Sequence, residues 1–245
     1  MIRRALLLLW AFAATPLMAQ ECSDVEFNGN GFTMCEVDAT TADLRLFLND
    51  ADGALLGQFG AIDTMLAEQG KRLSFAMNAG MYHDDRSPVG YYLENGTEVM
   101  HVVPNPGPGN FGLVPNGVFC LRQGRADVIE THAFLGAAPA CVYASQSGPM
   151  LVIDGELHPR FLADSTSRYV RNGVGTSADG SRAVFVMSRG RVTFHEFGSF
   201  FRDLLGLPNA LYFDGNISRL YAPQLGRNDA GFRMGPMVGV VVDAQ

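Results

Sequence analysis

Lysine is almost missing from this 245-residue chain: Lys71 stands alone against 17 arginines. The formal net charge is −7 at pH 7, and a field of that sign repels polyanions, so nucleic acid is excluded as an expected partner. A small anion held in a local arginine pocket remains compatible with it. No Cys-x-x-Cys pair occurs, which argues against a zinc ribbon or a dithiol redox centre. The five histidines form no H-x-H or H-E-x-x-H pattern, so neither a catalytic metal cluster nor any other cofactor is expected. The glycines after Arg171 form neither a Rossmann nor a Walker pattern, and no Gly-x-Ser-x-Gly elbow surrounds Ser147. Beyond residue 19 no run of 18 apolar residues exists, so no stable membrane span is expected in the mature chain.

What is present begins with a leader. Arg3 and Arg4 precede an apolar stretch at 5–14, and Leu17-Met18-Ala19 offers a small residue for cleavage. This pattern predicts a signal peptide over 1–19, a single domain over 20–245, and a periplasmic or secreted protein. Cys22, Cys35, Cys120 and Cys141 all follow the cleavage point. An even count in an exported chain favours two disulfides. Three pairings are possible, and the local one, Cys22–Cys35 with Cys120–Cys141, is preferred.

The middle and end of the chain read as β-hairpins. Segments 90–94 and 97–103 flank Asn95-Gly96, the strongest short hairpin signal. Segments 118–122 and 126–130 flank Gln123-Gly124, 150–153 and 156–157 flank Asp154-Gly155, and 183–188 and 191–195 flank Arg189-Gly190. Helices are few: 55–69, with apolar residues near 3.6 spacing, and 197–205, closed by Gly206 and Pro208. Residues 104–112 form a Pro/Gly surface loop. These patterns predict one α+β domain with a large twisted, mostly antiparallel or mixed sheet and few flanking helices.

Four segments carry candidate chemistry. Strand 73–77 empties into Asn78 and the loop to Gly90, where Gly80 permits close approach and His83, Asp84 and Asp85 are acid–base candidates. Gln146-Ser147-Gly148-Pro149 holds a serine with no nucleophile elbow around it, so a turn is the favoured reading of Ser147. Arg168 and Arg171, followed by Gly173 and Gly175, could clamp a phosphate through guanidinium forks and backbone N–H groups. Asp214 ends the apolar strand Leu211-Tyr212-Phe213, ahead of Gly215, although Asp-Gly is also a common turn pair. His195-Glu196 precedes the second helix.

Together these segments resemble the phosphodiester glycosidase family. The resemblance rests on Asn78-Ala79-Gly80-Met81-Tyr82 with Pro88-Val89-Gly90, then Pro115-Asn116-Gly117-Val118-Phe119, then Gln146-Ser147-Gly148-Pro149-Met150-Leu151. It continues through Arg171-Asn172-Gly173-Val174-Gly175 and Leu211-Tyr212-Phe213-Asp214-Gly215 with Ser218. The order and spacing cover roughly 73–223. The resemblance implies an exported hydrolase that cleaves the glycosidic C–O bond of a sugar phosphodiester in a cell-envelope or extracellular glycan. It also implies roles: Arg171 binds phosphate, Asp214 is nucleophile or base, Asn78 orients the substrate, and His83 or Glu196 supplies a second acid–base group. Gly80, Tyr82, Asn116, Ser147, Gly148, Asn172, Gly215 and Ser218 are implied as substrate-binding. In the family pattern a glycine-rich run follows the aspartate, whereas Asn216 and Ile217 stand here. That departure supports the alternative of a non-catalytic envelope glycan-binding module on the same scaffold.

Overall fold

Alternating apolar residues in the hairpin segments close three antiparallel sheets around a shared aromatic centre. The structure, a computed structural model, describes residues 20–244; the expected leader over 1–19 lies outside the described residues. The first sheet has seven strands, in the spatial order Gln20–Phe27, Asn30–Asp38, Arg182–Ser188, Asn172–Thr176, Asn209–Asp214, Met150–Ile153 and Glu156–Leu157. The second has five: Arg227–Asn228, Leu220–Ala222, Lys71–Asn78, Met237–Asp243 and Asp43–Phe47. The third also has five: Thr97–Met100, Tyr92–Glu94, Tyr143–Ser147, Gly117–Arg122 and Arg125–Glu130. Every pairing between them is antiparallel. The α+β reading stands, with the strands divided among three sheets.

Each sheet sends aromatics to the centre. Phe185 and Phe213 come from the first, Phe75 from the second and Phe119 from the third; their ring centroids lie 5.1 Å (Phe75–Phe185), 5.7 Å (Phe119–Phe185) and 6.1 Å (Phe119–Phe213) apart. The period of two along Asn209–Asp214 sends Leu211 and Phe213 into this core. Ala210 and Tyr212 face the other way, onto a second cluster built with Phe197, Phe200 and Phe201. Tyr212 thus turns away from the first core, and Asp214 follows it across a shift in the pairing register.

The helices differ in their bounds from what the sequence suggests. The segment expected over 55–69 is helical over Phe59–Ala67, burying Phe59, Ile62 and Leu66. The one expected over 197–205 starts earlier, as Phe194–Ser199, and continues as a π-helical turn over Phe200–Leu204. A third helix, Thr131–Ala137, carried no expectation. The hairpin expected about Arg189-Gly190 does not form. Both edges of Arg182–Ser188 are taken, by Asn30–Asp38 and Asn172–Thr176, so segment 191–195 has no edge to join. Its Val192 instead bridges Tyr169, and Thr193 caps the helix.

Both disulfides follow the local pairing, Cys22–Cys35 across the first hairpin and Cys120–Cys141 across the third sheet. No helix among the described residues is long and apolar enough to cross a membrane.

Near the Asn95-Gly96 turn, burial lifts the Glu94 carboxyl from 4.5 to about 7, against the opposing hydrogen bond from the Tyr92 hydroxyl (3.1 Å). A carboxyl raised on folding stabilises the fold while protonated, and that contribution is lost as pH rises from 4.5 through about 7. Glu94→Gln is therefore expected to flatten this part of the pH dependence and to melt above the wild type at pH 8. Equal melting temperatures at pH 8 would contradict this assignment.

Candidate active site

A cleft of about 470 Å³ opens where the Asn209–Asp214 strand ends against the start of Asn172–Thr176. Of the residues expected at a site, Tyr82, Arg171, Asp214 and Gly215 line it. Met81, Val89, Ser167, Tyr169, Tyr212, Asn216 and the 108–111 loop complete the wall. Asp214 is the only acidic residue in that lining.

The floor is fixed by paired amides. Asn172 Nδ2 donates to Asn78 Oδ1 (2.7 Å) and to the Asn78 carbonyl (3.1 Å), while Asn172 Oδ1 accepts from the Asp214 N–H (3.0 Å). Asn78 Oδ1 also accepts from the Arg219 N–H (3.0 Å). Both side chains are fully buried. They tie together the first two sheets and the loop after Asp214, and the pairing register shifts between Asn172 and Gly173, where a bulge re-aims the strand end. Asn78 and Asn172 therefore position Asp214 from behind the cleft surface.

Asp214 Oδ1 accepts from the N–H groups of Gly215 (2.6 Å) and Asn216 (2.9 Å). Burial nonetheless raises the carboxyl above the usual carboxylate range, with the N–H groups of Asn216, Gly215 and Ile217 opposing. Burial, with Asp214's charge second, also raises the Tyr82 hydroxyl.

Arg171 is the opposite charge. It is 1% exposed. Its Nε donates to the Val192 carbonyl (2.9 Å) and its Nη2 to the Ser167 carbonyl (3.2 Å). Nη1 has no hydrogen-bond partner among the described residues. The guanidinium lies 3.6 Å from the Phe194 ring centroid, with Tyr212 at 5.4 Å and Tyr169 at 5.5 Å. Phe194 in turn stacks on Phe161, and Phe161 on His158. Burial pushes the Arg171 group down from the ordinary arginine value, but a guanidinium stays charged. The aromatic faces ease its desolvation, and no carboxylate ion-pairs with it among the described residues. A cation held this way at a cleft wall favours an anionic ligand.

The other expected residues serve elsewhere. Ser147 is buried and donates to the Phe213 carbonyl (2.9 Å), which makes it a tie and not a nucleophile. Asn116 donates to the Phe111 carbonyl (3.0 Å) and accepts from the Thr131 hydroxyl (2.7 Å). Gln146 adds bonds to Val103 and Thr131, so these amides hold the 103–116 segment that carries the rim. A Cβ at Gly148 would lie 2.6 Å from Asn116 Cβ, and one at Gly80 would lie 2.7 Å from Ser145 Oγ. Both glycines serve close packing behind the cleft. Ser218 donates to the Val170 carbonyl (3.2 Å) and the Asp214 carbonyl (3.1 Å), closing the 214–218 turn.

His83 and Glu196 are not among the residues that line the cleft. His83 is exposed on the 83–87 turn, where its N–H donates to the Ser87 carbonyl. Glu196 completes the capping box of its helix, accepting from the Thr193 N–H (2.7 Å), and pairs with Arg168 (3.0 Å). The arginine clamp accordingly splits: Arg168 goes to the surface and Arg171 to the cleft. Sequence reasoning passed over Tyr169, Tyr212 and Phe111, whose aromatic character read as ordinary strand or loop filling.

The model of the family described as phosphodiester glycosidase matches residues 71–237. A protein of Escherichia coli K12, uncharacterized protein YigE, is 31% identical over 222 residues, spanning 90% of this chain and 85% of that protein. Among solved structures, the zebrafish N-acetylglucosamine-1-phosphodiester alpha-N-acetylglucosaminidase catalytic domain, auto-inhibited by its pro-peptide, superposes with a TM-score of 0.63. It shares 12% identity, over 94% of this chain and 85% of that one. A hypothetical protein from Synechocystis gives a TM-score of 0.58 at 14% identity, over 91% of this chain and 62% of that one.

Proposed function

Because the chain belongs to the phosphodiester glycosidase family, we propose that it is a hydrolase that cleaves the glycosidic C–O bond of a sugar phosphodiester. The observation that carries this reading is the make-up of the cleft: one carboxyl, Asp214, and one guanidinium without a counter-ion, Arg171. Ordinary glycosidases use two carboxyl groups, one of them to protonate a poor leaving group. A phosphate leaves as a stable anion, with a second pKa of about 6, and needs no such acid. A single carboxylate and a cation suffice. Asp214 takes a proton from the water that attacks the anomeric carbon, the C–O electron pair passes to the phosphate oxygen, and Arg171 offsets the charge that gathers there. Tyr82 and Tyr169, the latter 47% exposed, offer ring faces for the sugar.

The substrate is a glycan or small molecule carrying a phosphodiester, met outside the cytoplasm. The leader-like residues 1–19 and the two disulfides support export. The glycan-binding alternative rests on Asn216, which lines the cleft, and Ile217, which packs toward the second sheet. Purified protein incubated with UDP-glucose, UDP-galactose and UDP-N-acetylglucosamine separates the two readings. Free sugar and UDP are expected from at least one of them. Saturable binding with no turnover would leave the binding module instead.

A further inference from the structure

Tyr212 lines the cleft, yet neither its strand position nor the matched motifs mark it as anything but core. The residue is 1% exposed, and its ring packs edge-on against Phe194 at 4.8 Å. Its hydroxyl is placed differently. A Cβ at Gly215 would overlap that oxygen, so the hydroxyl sits directly over the turn that follows Asp214, and only glycine leaves room for it. The Arg171 guanidinium carbon lies 5.4 Å from the centroid of the same ring. One O–H group therefore lies beside the turn that follows the proposed base, on a ring that also faces the cation.

We propose that the Tyr212 hydroxyl is a catalytic hydrogen-bond donor that, with Arg171, holds the phosphate oxygen departing from the anomeric carbon. This rests on the glycosyl-phosphodiester reading above. Negative charge on that oxygen grows as the C–O bond breaks, and a donor already fixed against it gains strength in the transition state without reorganising. No proton need be transferred, since the phosphate leaves as an anion and the phenol returns unchanged. Burial, reinforced by the charge of Asp214 and opposed by Arg171, raises the phenol well above its ordinary value. The group is thus neutral and able to donate throughout the pH range in which Asp214 is ionised. It also supplies a further hydrogen-bonding group to the site, whose lining includes neither His83 nor Glu196.

Tyr212→Phe removes the oxygen alone and keeps the ring on Phe194. On the UDP-sugar that the wild type turns over, the variant is expected to lose about 10²–10³-fold in kcat, with a smaller change in KM and an unchanged melting temperature. UDP, measured by titration calorimetry, should bind about tenfold or more weakly. Wild-type turnover with an unimpaired variant would overturn the role of Tyr212 while leaving the activity standing, as would a loss matched by an equal drop in melting temperature. If the wild type turns over none of the UDP-sugars, the activity reading fails. The donor role is then decided by UDP affinity: a weaker variant supports it and an equal one ends it.

Discussion

Asp214→Asn is expected to lower turnover of a UDP-sugar by about 10²–10⁴-fold while leaving the protein folded. The amide keeps the shape of the carboxyl, and its oxygen can still accept from the Gly215 and Asn216 N–H groups that fix Oδ1. What is lost is the ability to take a proton from water and the negative charge facing the oxocarbenium-like carbon. The stability effect has the opposite sign. Burial raises the Asp214 pKa, so its ionised form is a cost to the fold at neutral pH. That cost sets in as pH rises through the ordinary carboxylate range and is complete above the raised folded value. The asparagine variant should therefore melt at or above the wild-type temperature at pH 7. In the wild type, kcat/KM should fall on the acid side at a pH above the ordinary aspartate value of 3.8, as Asp214 takes up its proton. An active asparagine variant would remove Asp214 from the chemistry.

Arg171→Met is expected to cost about 10²–10³-fold in turnover and to weaken UDP binding. The methionine fills much of the channel between Phe194 and Tyr212 but carries no charge. The Val192 carbonyl keeps the Tyr169 N–H, and the Ser167 carbonyl, on an exposed residue, can turn to water, so the two lost hydrogen bonds cost about 1 kcal/mol each at most. Removal of a buried cation with no carboxylate beside it offsets part of this. The net stability change is thus smaller than the functional one. Arg171→Lys, which keeps charge and loses the fork, should fall between the two in UDP affinity. Wild-type affinity in the methionine variant would mean that the phosphate binds elsewhere.

How far the sequence reaches can be seen residue by residue. Asn95-Gly96, Asp154-Gly155 and the 118–130 hairpin were legible because turn chemistry and alternation are local. The disulfides were legible for the same reason, since Cys22 and Cys35 oppose each other across one hairpin. The failed hairpin at Arg189-Gly190 shows the limit: strand propensity cannot reveal that both neighbouring edges are already occupied. A signal for the true outcome existed. Thr193 with Glu196 three residues on is a capping box, and it starts the helix that the structure shows.

At the site, Arg171 and Asp214 are legible through the resemblance, because an Asp-Gly pair alone also reads as a turn and an arginine before glycines as a surface loop. Asn78, Asn116, Ser147 and Asn172 are implied by the resemblance as substrate-binding, but their bonds to backbone and to one another make them supports. Sequence gives the donor and acceptor inventory of a side chain but not whether the fold has already used it. Tyr212 fails in the other direction, since one end of its ring belongs to the core and the hydroxyl to the cleft.

The central claim is that this cleft breaks the bond between the anomeric carbon and the phosphate oxygen. Hydrolysis of a UDP-sugar in water enriched in ¹⁸O, with the UDP product read by mass spectrometry, tests it most directly. C–O cleavage places the solvent oxygen on the sugar, so the UDP is expected to carry no label. Label in the terminal phosphate of UDP would mean attack at phosphorus and would contradict the account.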